Sequence, residues 1–296
     1  MSRERQASGP AVRTRIESAS PTPSPPVAPS QAPFFHFEID DFLSRDEYAA
    51  LCASFPGADR FPEVIEGNKF RLGTRTTSQA FDAFRSERPE WGRLLERLTG
   101  EPFLGRLYEL ARPGLVRSRG LLGARPWRLG EVPIGPGGPL FARRPVRIHF
   151  EFSRLERGAS VPPHTDAPEK LVSCILYFAE PSWRAEWGGG THYYRPRVPS
   201  LRRNWHNRSV PFELLEPIFK QPFVPNRLAV FVKSRESYHA VPSLDCPEGV
   251  ARNSLNFSIH RIRPRPLRKL ARLHDRAASE LERRRHPVEV ASASFR

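Results

Sequence analysis

Between residues 145 and 262 the chain is divided into short segments of β-branched and aromatic residues, separated by turn signals. VRIHFEF, KLVSCILYF, GGTHYYR, RLAVFVK and SLNFSIHRI read as strands. Upstream the period changes to that of helices. Ser44 with Glu47 three residues on forms a capping box, and Leu43 and Tyr48 are placed for the accompanying hydrophobic staple. The helix so opened ends before Pro56. Further helices are expected at 79–86, 90–99 and 101–111, where apolar residues recur at three- and four-residue steps, as in Trp91, Leu94, Leu95 and Leu98. Helices first and strands second argue for an α+β or mainly β barrel and against an alternating βαβ fold. PFFHFEIDDFL alternates and suits an opening strand. Residues 113–140, rich in Gly and Pro, predict a long irregular connection. Residues 267–285 predict a terminal helix with Leu267, Leu270 and Leu273 on one face.

A chain of 296 residues can bury a core without disulfide staples. Cys52, Cys174 and Cys246 are odd in number and widely spaced, so neither a disulfide framework nor a CxxC zinc knuckle is expected. No run approaches the roughly 18 apolar residues of a membrane span, and the N-terminal residues lack the apolar centre of a signal peptide. A cytoplasmic location is the expectation. The net charge of +15 raises nucleic acid as a partner, but its distribution weakens that idea. Residues 261–296 hold eleven Lys and Arg against four acids, and residues 1–33 hold four Arg against two. Much of the excess is therefore terminal. Three units follow: a Pro- and Ser-rich basic tail at 1–33, expected to be disordered, a domain at 34–266 with its core at 145–262, and a basic helix and tail at 267–296.

Within that core, PPHTDAP places His164 and Asp166 two residues apart, in a stretch that prolines keep from being helical. On an extended chain, side chains at i and i+2 leave the same side, so the two can grip one ion. The pair alone is a weak signal, since a polar turn gives the same string. SYHAV supplies a third donor, His239, at the edge of a later strand. Two His and one carboxylate on one face of an ion make the facial triad of non-haem Fe(II) oxygenases, with positions left open for a bidentate co-substrate and dioxygen. A 2-oxo acid needs a partner for its far carboxylate. Arg252 stands thirteen residues after His239 in RNSLNFSIH, and strand alternation sets Arg252, Ser254, Asn256 and Ser258 on one face. A guanidinium matches a carboxylate with two parallel hydrogen bonds, and the Ser254 hydroxyl can add another.

HTD, SYHAV and RNS together resemble the Fe(II)- and 2-oxoglutarate-dependent dioxygenases, in particular their prolyl-hydroxylase-like branch. Gly158 a few residues before HTD, the strand KLVSCILYF after it and the turn in WGGGTHYY fit the same pattern. The resemblance spans residues 145–262 and, more loosely, extends back to Pro33. It implies a double-stranded β-helix (jelly-roll, cupin-like) core with N-terminal helices packed on it and a C-terminal helix. It implies that His164, Asp166 and His239 bind Fe(II), and that Arg252 with Ser254 holds 2-oxoglutarate. It also implies consumption of O2, with ascorbate as reductant, release of succinate and CO2, and hydroxylation of a C–H bond in a small molecule or a peptidyl residue such as proline. A carboxylate at Asp166 argues against the halogenase variant, which vacates that position. Two other classes stay in view: a nucleic-acid oxidative demethylase, for which no base-reading motif is present, and a barrel kept as a binding module, which has no need of all four residues.

Other residues are less determined. Tyr177 has a hydroxyl that either reaches the co-substrate or is satisfied in the core. Asn256 lines the cavity or bonds backbone. His149 shares a strand face with Arg147 and Glu151, and alternation leaves open whether that face looks inward. His192 has no carboxylate at HxD spacing and is set aside as a ligand. Trp183, Trp187, Tyr193 and Tyr194 are expected to pack the barrel edge. Residues 195–222 carry five arginines. With 113–140 they are expected to wall the substrate site and to favour an anionic substrate.

Overall fold

The computed structural model describes residues 29–130, 144–202, 204 and 207–262. Residues 1–28 of the tail expected at 1–33, residues 131–143, Arg203 and the expected helix at 267–285 lie outside the described residues. The elements run β1 (His36–Ile39), α1 (Arg45–Ala53), β2 (Glu63–Ile65), β3 (Lys69–Gly73), α2 (Ser78–Glu87), α3 (Pro89–Thr99), α4 (Glu101–Gly123) and β4 (Trp127–Leu129). Then come β5 (Arg144–Leu155), β6 (Val161–His164), β7 (Lys170–Phe178), β8 (Thr191–Pro196), β9 (Leu215–Gln221), β10 (Leu228–Val232), β11 (Tyr238–Val241) and β12 (Arg252–Arg261).

The strands form two sheets. The larger has the order β1-β10-β7-β12-β5-β3-β2, with β4 joined to β5. The smaller has the order β6-β11-β8-β9. All pairings are antiparallel except β4 with β5. The expectation of helices followed by an antiparallel β core is met. Hydrogen bonding leaves two open sheets among the described residues and does not close them into one barrel.

Period-two alternation divides the larger sheet between two environments. From β5, Phe150 and Phe152 enter the apolar core, while His149, Glu151 and Ser153 line a cavity on the other face. From β12, Leu255, Phe257 and Ile259 enter the core, while Arg252, Asn256, Ser258 and His260 reach the cavity. The helices cover the apolar face. Trp91 of α3 is fully buried, its ring edge-on to Phe152 at 4.7 Å and to Phe178 at 5.2 Å. Leu94, Leu95 and Leu98 follow it into the same core, as their spacing predicts.

Two helix details depart from expectation. Ser44 caps α1 by accepting the Glu47 backbone N–H at 3.3 Å. The Glu47 carboxylate does not complete the box; it pairs with Arg97 of α3 at 2.8 Å. The last helix does not stop at 111. It runs through Pro113 to Gly123, with a break at Gly120 (φ 69°). Pro113 forfeits a hydrogen bond, but Ala111, Gly114 and Leu115 are buried on either side of it. A Cβ on Gly114 would fall 2.5 Å from Phe35, so only glycine permits this approach. Among the described residues no helix is long and apolar enough to cross a membrane.

Candidate active site

His164 ends β6 and His239 lies in β11, and the two are direct cross-strand partners. Opposed residues of an antiparallel pair project from the same face, so the sheet itself brings the imidazoles together, 4.3 Å between ring centroids. Each ring is oriented by its own backbone. His164 Nδ1 donates to the Pro162 carbonyl at 2.8 Å, and His239 Nδ1 to the Ser237 carbonyl at 3.0 Å. That tautomer leaves both Nε2 atoms as lone-pair donors, the state a metal requires. Burial, and next the neighbouring His164, push His239 down to about 3, so it is neutral at physiological pH.

Asp166 closes the group. Its Oδ1 lies 3.5 Å from His164 Nε2 and its Oδ2 3.6 Å from His239 Nε2. The three side chains offer ligand atoms all within 4.8 Å of one another. Strand alternation is not what places Asp166. The residue lies beyond β6 with φ 72°, in the left-handed region, on the crossing from the smaller sheet to the larger. Aspartate tolerates this conformation better than most residues, and strain of this kind clusters at functional sites. Lys170 Nζ donates to Oδ1 at 2.7 Å and the Ser173 hydroxyl to Oδ2 at 2.8 Å. Burial alone would raise this carboxyl; the Lys170 ammonium, foremost among its neighbours, outweighs burial and holds Asp166 well below the usual carboxylate range. Each carboxylate oxygen has two lone pairs, so a donor from the protein leaves one for an ion. The donor set of two imidazoles and a carboxylate suits Fe(II). Lys170 and Ser173 were not singled out from the sequence; their spacing from Asp166 means nothing until the turn folds β7 back against it.

Arg252 begins β12 on the opposite sheet and is buried. Its Nε donates to the Gly189 carbonyl at 2.6 Å, and its Nη1 to the Ser254 hydroxyl at 3.2 Å. The guanidinium lies over the Tyr177 and Phe223 rings at 5.2 and 5.3 Å. Among the described residues no carboxylate comes within 4.0 Å of it. A cation buried without a counter-ion is costly, and an incoming carboxylate relieves that cost. Arg252 and the His164–Asp166–His239 group line one cavity of about 570 Å³.

The other expected residues divide. Ser254 touches Arg252 and also donates to Asn256 Oδ1 at 3.2 Å. Asn256 lines the cavity and donates to Glu151 at 3.4 Å. Tyr177 is fully buried, its hydroxyl bonded to Thr191 at 2.8 Å and its ring beneath Arg252. The face left open on β5 looks inward at His149 and Glu151, whereas Arg147 is exposed. His192 does not line the cavity, though Thr191 beside it does. Tyr193 and Tyr194 are buried, and Trp183 and Trp187 pack edge-on at 5.6 Å.

Two expectations about the walls are corrected. No described residue of 113–130 reaches the cavity, because that stretch is the end of α4 and then β4 on β5. Among the described residues, segment 195–222 contributes Asn207 and Ser209. Its described arginines, Arg195, Arg197, Arg202 and Arg208, are exposed away from the cavity, since β9 from the same segment pairs with β8 as a sheet edge. The cationic wall instead comes from Lys69 and Arg71 of β3 and from Arg75 in the turn after it. Gly67 and Asn68, both at positive φ in EVIEGNKFRLG, mark the β2–β3 hairpin that carries them.

No family model matches the chain, and no curated protein matches it. Solved structures do. A Pseudomonas putida prolyl-4-hydroxylase is 16% identical with a TM-score of 0.38, over 76% of this chain and 92% of that one. The non-haem α-ketoglutarate-dependent epimerase SnoN of nogalamycin biosynthesis is 14% identical with a TM-score of 0.44, over 76% and 78%. HygX of Streptomyces hygroscopicus, solved with nickel and 2-oxoglutarate, is 14% identical with a TM-score of 0.42, over 76% and 82%. These are proteins of the kind the sequence motifs resemble. At such scores the likeness is distant, and the functional argument rests on the side chains.

Proposed function

We propose that this chain is an Fe(II)- and 2-oxoglutarate-dependent dioxygenase that hydroxylates a C–H bond of a small molecule or of a peptidyl residue. The observation that carries the reading is one cavity holding two convergent Nε2 donors, a carboxylate and a buried arginine with no acidic partner among the described residues. His164, Asp166 and His239 would hold Fe(II), and Arg252 with Ser254 would take the distal carboxylate of 2-oxoglutarate. Iron and co-substrate, when bound with O2, supply the oxidising power and release succinate and CO2, with ascorbate keeping the metal ferrous. The chain's own residues orient and exclude. The Pro162 and Ser237 carbonyls fix the imidazole tautomers. Lys170 and Ser173 hold both carboxylate oxygens of Asp166. Tyr177 props the Arg252 guanidinium through its ring and, through Thr191, borders the same space. Ile175 and Phe231 give the cavity dry surface beside the metal ligands.

Purified protein with Fe(II), ascorbate and 2-oxoglutarate should release succinate slowly even without substrate. His164→Ala or Asp166→Ala should abolish that release. Absence of both Fe(II) binding and 2-oxoglutarate binding by the unaltered protein would sink the reading.

A further inference from the structure

Other cations besides Arg252 line the cavity. Lys69 and Arg71 are already satisfied there, Lys69 by Glu151 at 2.5 Å and Arg71 by two bonds to Glu63 at 2.5 and 3.0 Å. Arg75 is not. It is exposed to the cavity, and among the described residues no carboxylate lies within 4.0 Å of its guanidinium. Its backbone is nonetheless fixed. The Gly73 N–H donates to the Thr77 hydroxyl at 2.7 Å, and the Thr74 N–H to the Phe150 carbonyl at 2.9 Å, which docks this turn on β5 next to His149.

His149 and His260 of the larger sheet line the same cavity as Arg75 and lie within reach of its charge. Their rings are edge-on at 4.7 Å and 83°. His260 Nε2 is bonded to the Ser258 hydroxyl at 2.9 Å, while neither ring nitrogen of His149 has a hydrogen-bond partner among the described residues. Burial, then the surrounding cations Arg147, Arg75 and Lys170, lower the pKa of His149. It is thus a neutral imidazole with an N–H to give, half-buried and lining the cavity. A guanidinium on a tethered turn, with no carboxylate partner among the described residues, beside an imidazole with no acceptor among them, can form an anion site in which the arginine supplies two parallel donors and the histidine a third.

We infer that the substrate is an organic anion whose carboxylate or phosphate is bound by Arg75 and His149, with His260 and Ser258 buttressing the imidazole. This deepens the dioxygenase reading and rests on it for the word substrate. The site lies in the same cavity as the metal group, so an anion held there keeps the rest of its molecule against the metal ligands. It also differs in origin from the described arginines of 195–222, which are exposed and do not line the cavity.

The test uses the full chain loaded with Ni(II) in place of iron and saturated with 2-oxoglutarate, so that Arg252 is occupied. Acetate and methyl phosphate are titrated separately, and the His149 and His260 ring resonances are followed by NMR. At least one anion should shift both resonances saturably, and the stronger of the two assigns carboxylate or phosphate. Acetamide and trimethyl phosphate should not. Arg75→Gln should weaken the response by about tenfold or more, the effect of losing a charge-assisted pair of hydrogen bonds. Arg202→Ala, on the exposed segment, should leave it unchanged. Equal response to neutral and charged probes, no response at all, or an Arg75→Gln protein that binds like wild type overturns the inference. Calorimetry of 2-oxoglutarate on the same preparation separates the two readings: its failure to bind removes the dioxygenase assignment, whatever the anion does.

Discussion

Replacing Arg252 by Met should leave the empty protein standing and remove its answer to 2-oxoglutarate. In the empty protein Arg252 makes hydrogen bonds to Gly189, Ser254 and Thr191, at 2.6, 3.2 and 3.5 Å, all neutral acceptors. At about 1 kcal/mol each these contribute roughly 3 kcal/mol. Burying the guanidinium without a counter-ion costs several kcal/mol, so Arg252→Met should change apo stability by no more than about 2 kcal/mol in either direction. With 2-oxoglutarate the balance reverses. Loss of a buried charge pair costs about 2–5 kcal/mol, roughly thirtyfold to several-thousandfold in Kd. Thermal unfolding of metal-loaded protein reads both effects. Wild type at 100 times Kd gains about 2.7 kcal/mol, which for a domain of this size raises Tm by roughly 5–10 °C. The variant should rise by no more than about 2–3 °C at the same concentration, from an apo Tm within a few degrees of wild type. A variant that keeps the rise would refute the role of Arg252. One that fails to fold when empty would show that the residue is structural.

Trp91→Ala, which removes a fully buried ring against Phe152 and Phe178, should cost about 3–5 kcal/mol in urea unfolding. Gly189→Ala should both destabilise the fold and weaken 2-oxoglutarate binding. Its φ is +82°, a Cβ would lie 2.8 Å from Trp183, and its carbonyl receives Arg252; unchanged calorimetric affinity would count against the carbonyl's part. His260 is held down to about 3, chiefly by burial, against 6.5 when unfolded. The unfolded chain therefore takes up a proton below pH 6.5 that the folded chain refuses until about pH 3. Stability should fall across that window by about 1.4 kcal/mol per pH unit from this group, and His260→Asn should flatten the slope measured by denaturant midpoints between pH 6.5 and 4.

What the sequence displayed was whatever lay in local strings and fixed periods. His164 and His239 could be read because each sits in or beside a strand with recognisable ends, and Arg252 because alternation along RNSLNFSIH separates a polar face from an apolar one. The register that sets His164 opposite His239 is a long-range fact with no local signal. Asp166 is not placed by alternation: it stands beyond β6 with its own φ at 72°, and a positive φ at a non-glycine residue leaves no mark in composition. Pro113 misled in the opposite sense, since burial of Ala111, Gly114 and Leu115 outweighs one forfeited hydrogen bond. The cationic wall was looked for in the segment richest in arginine. Charge density says nothing about direction, and Arg71 and Arg75 reach the cavity because a short hairpin joins the edge of the larger sheet at β5.

The two imidazoles belong to the smaller sheet and Arg252 to the larger, with Asp166 on the strand-to-strand crossing between them. A molecule that touches the metal at one end and the guanidinium at the other is therefore a strut across the cleft. On the proposed reading, metal alone would brace β6 against β11, and metal with 2-oxoglutarate would tie sheet to sheet. Amide exchange should register the difference: slower opening of the β6 edge with the ion, and slower exchange at the facing ends of β8 and β12 only when both are present.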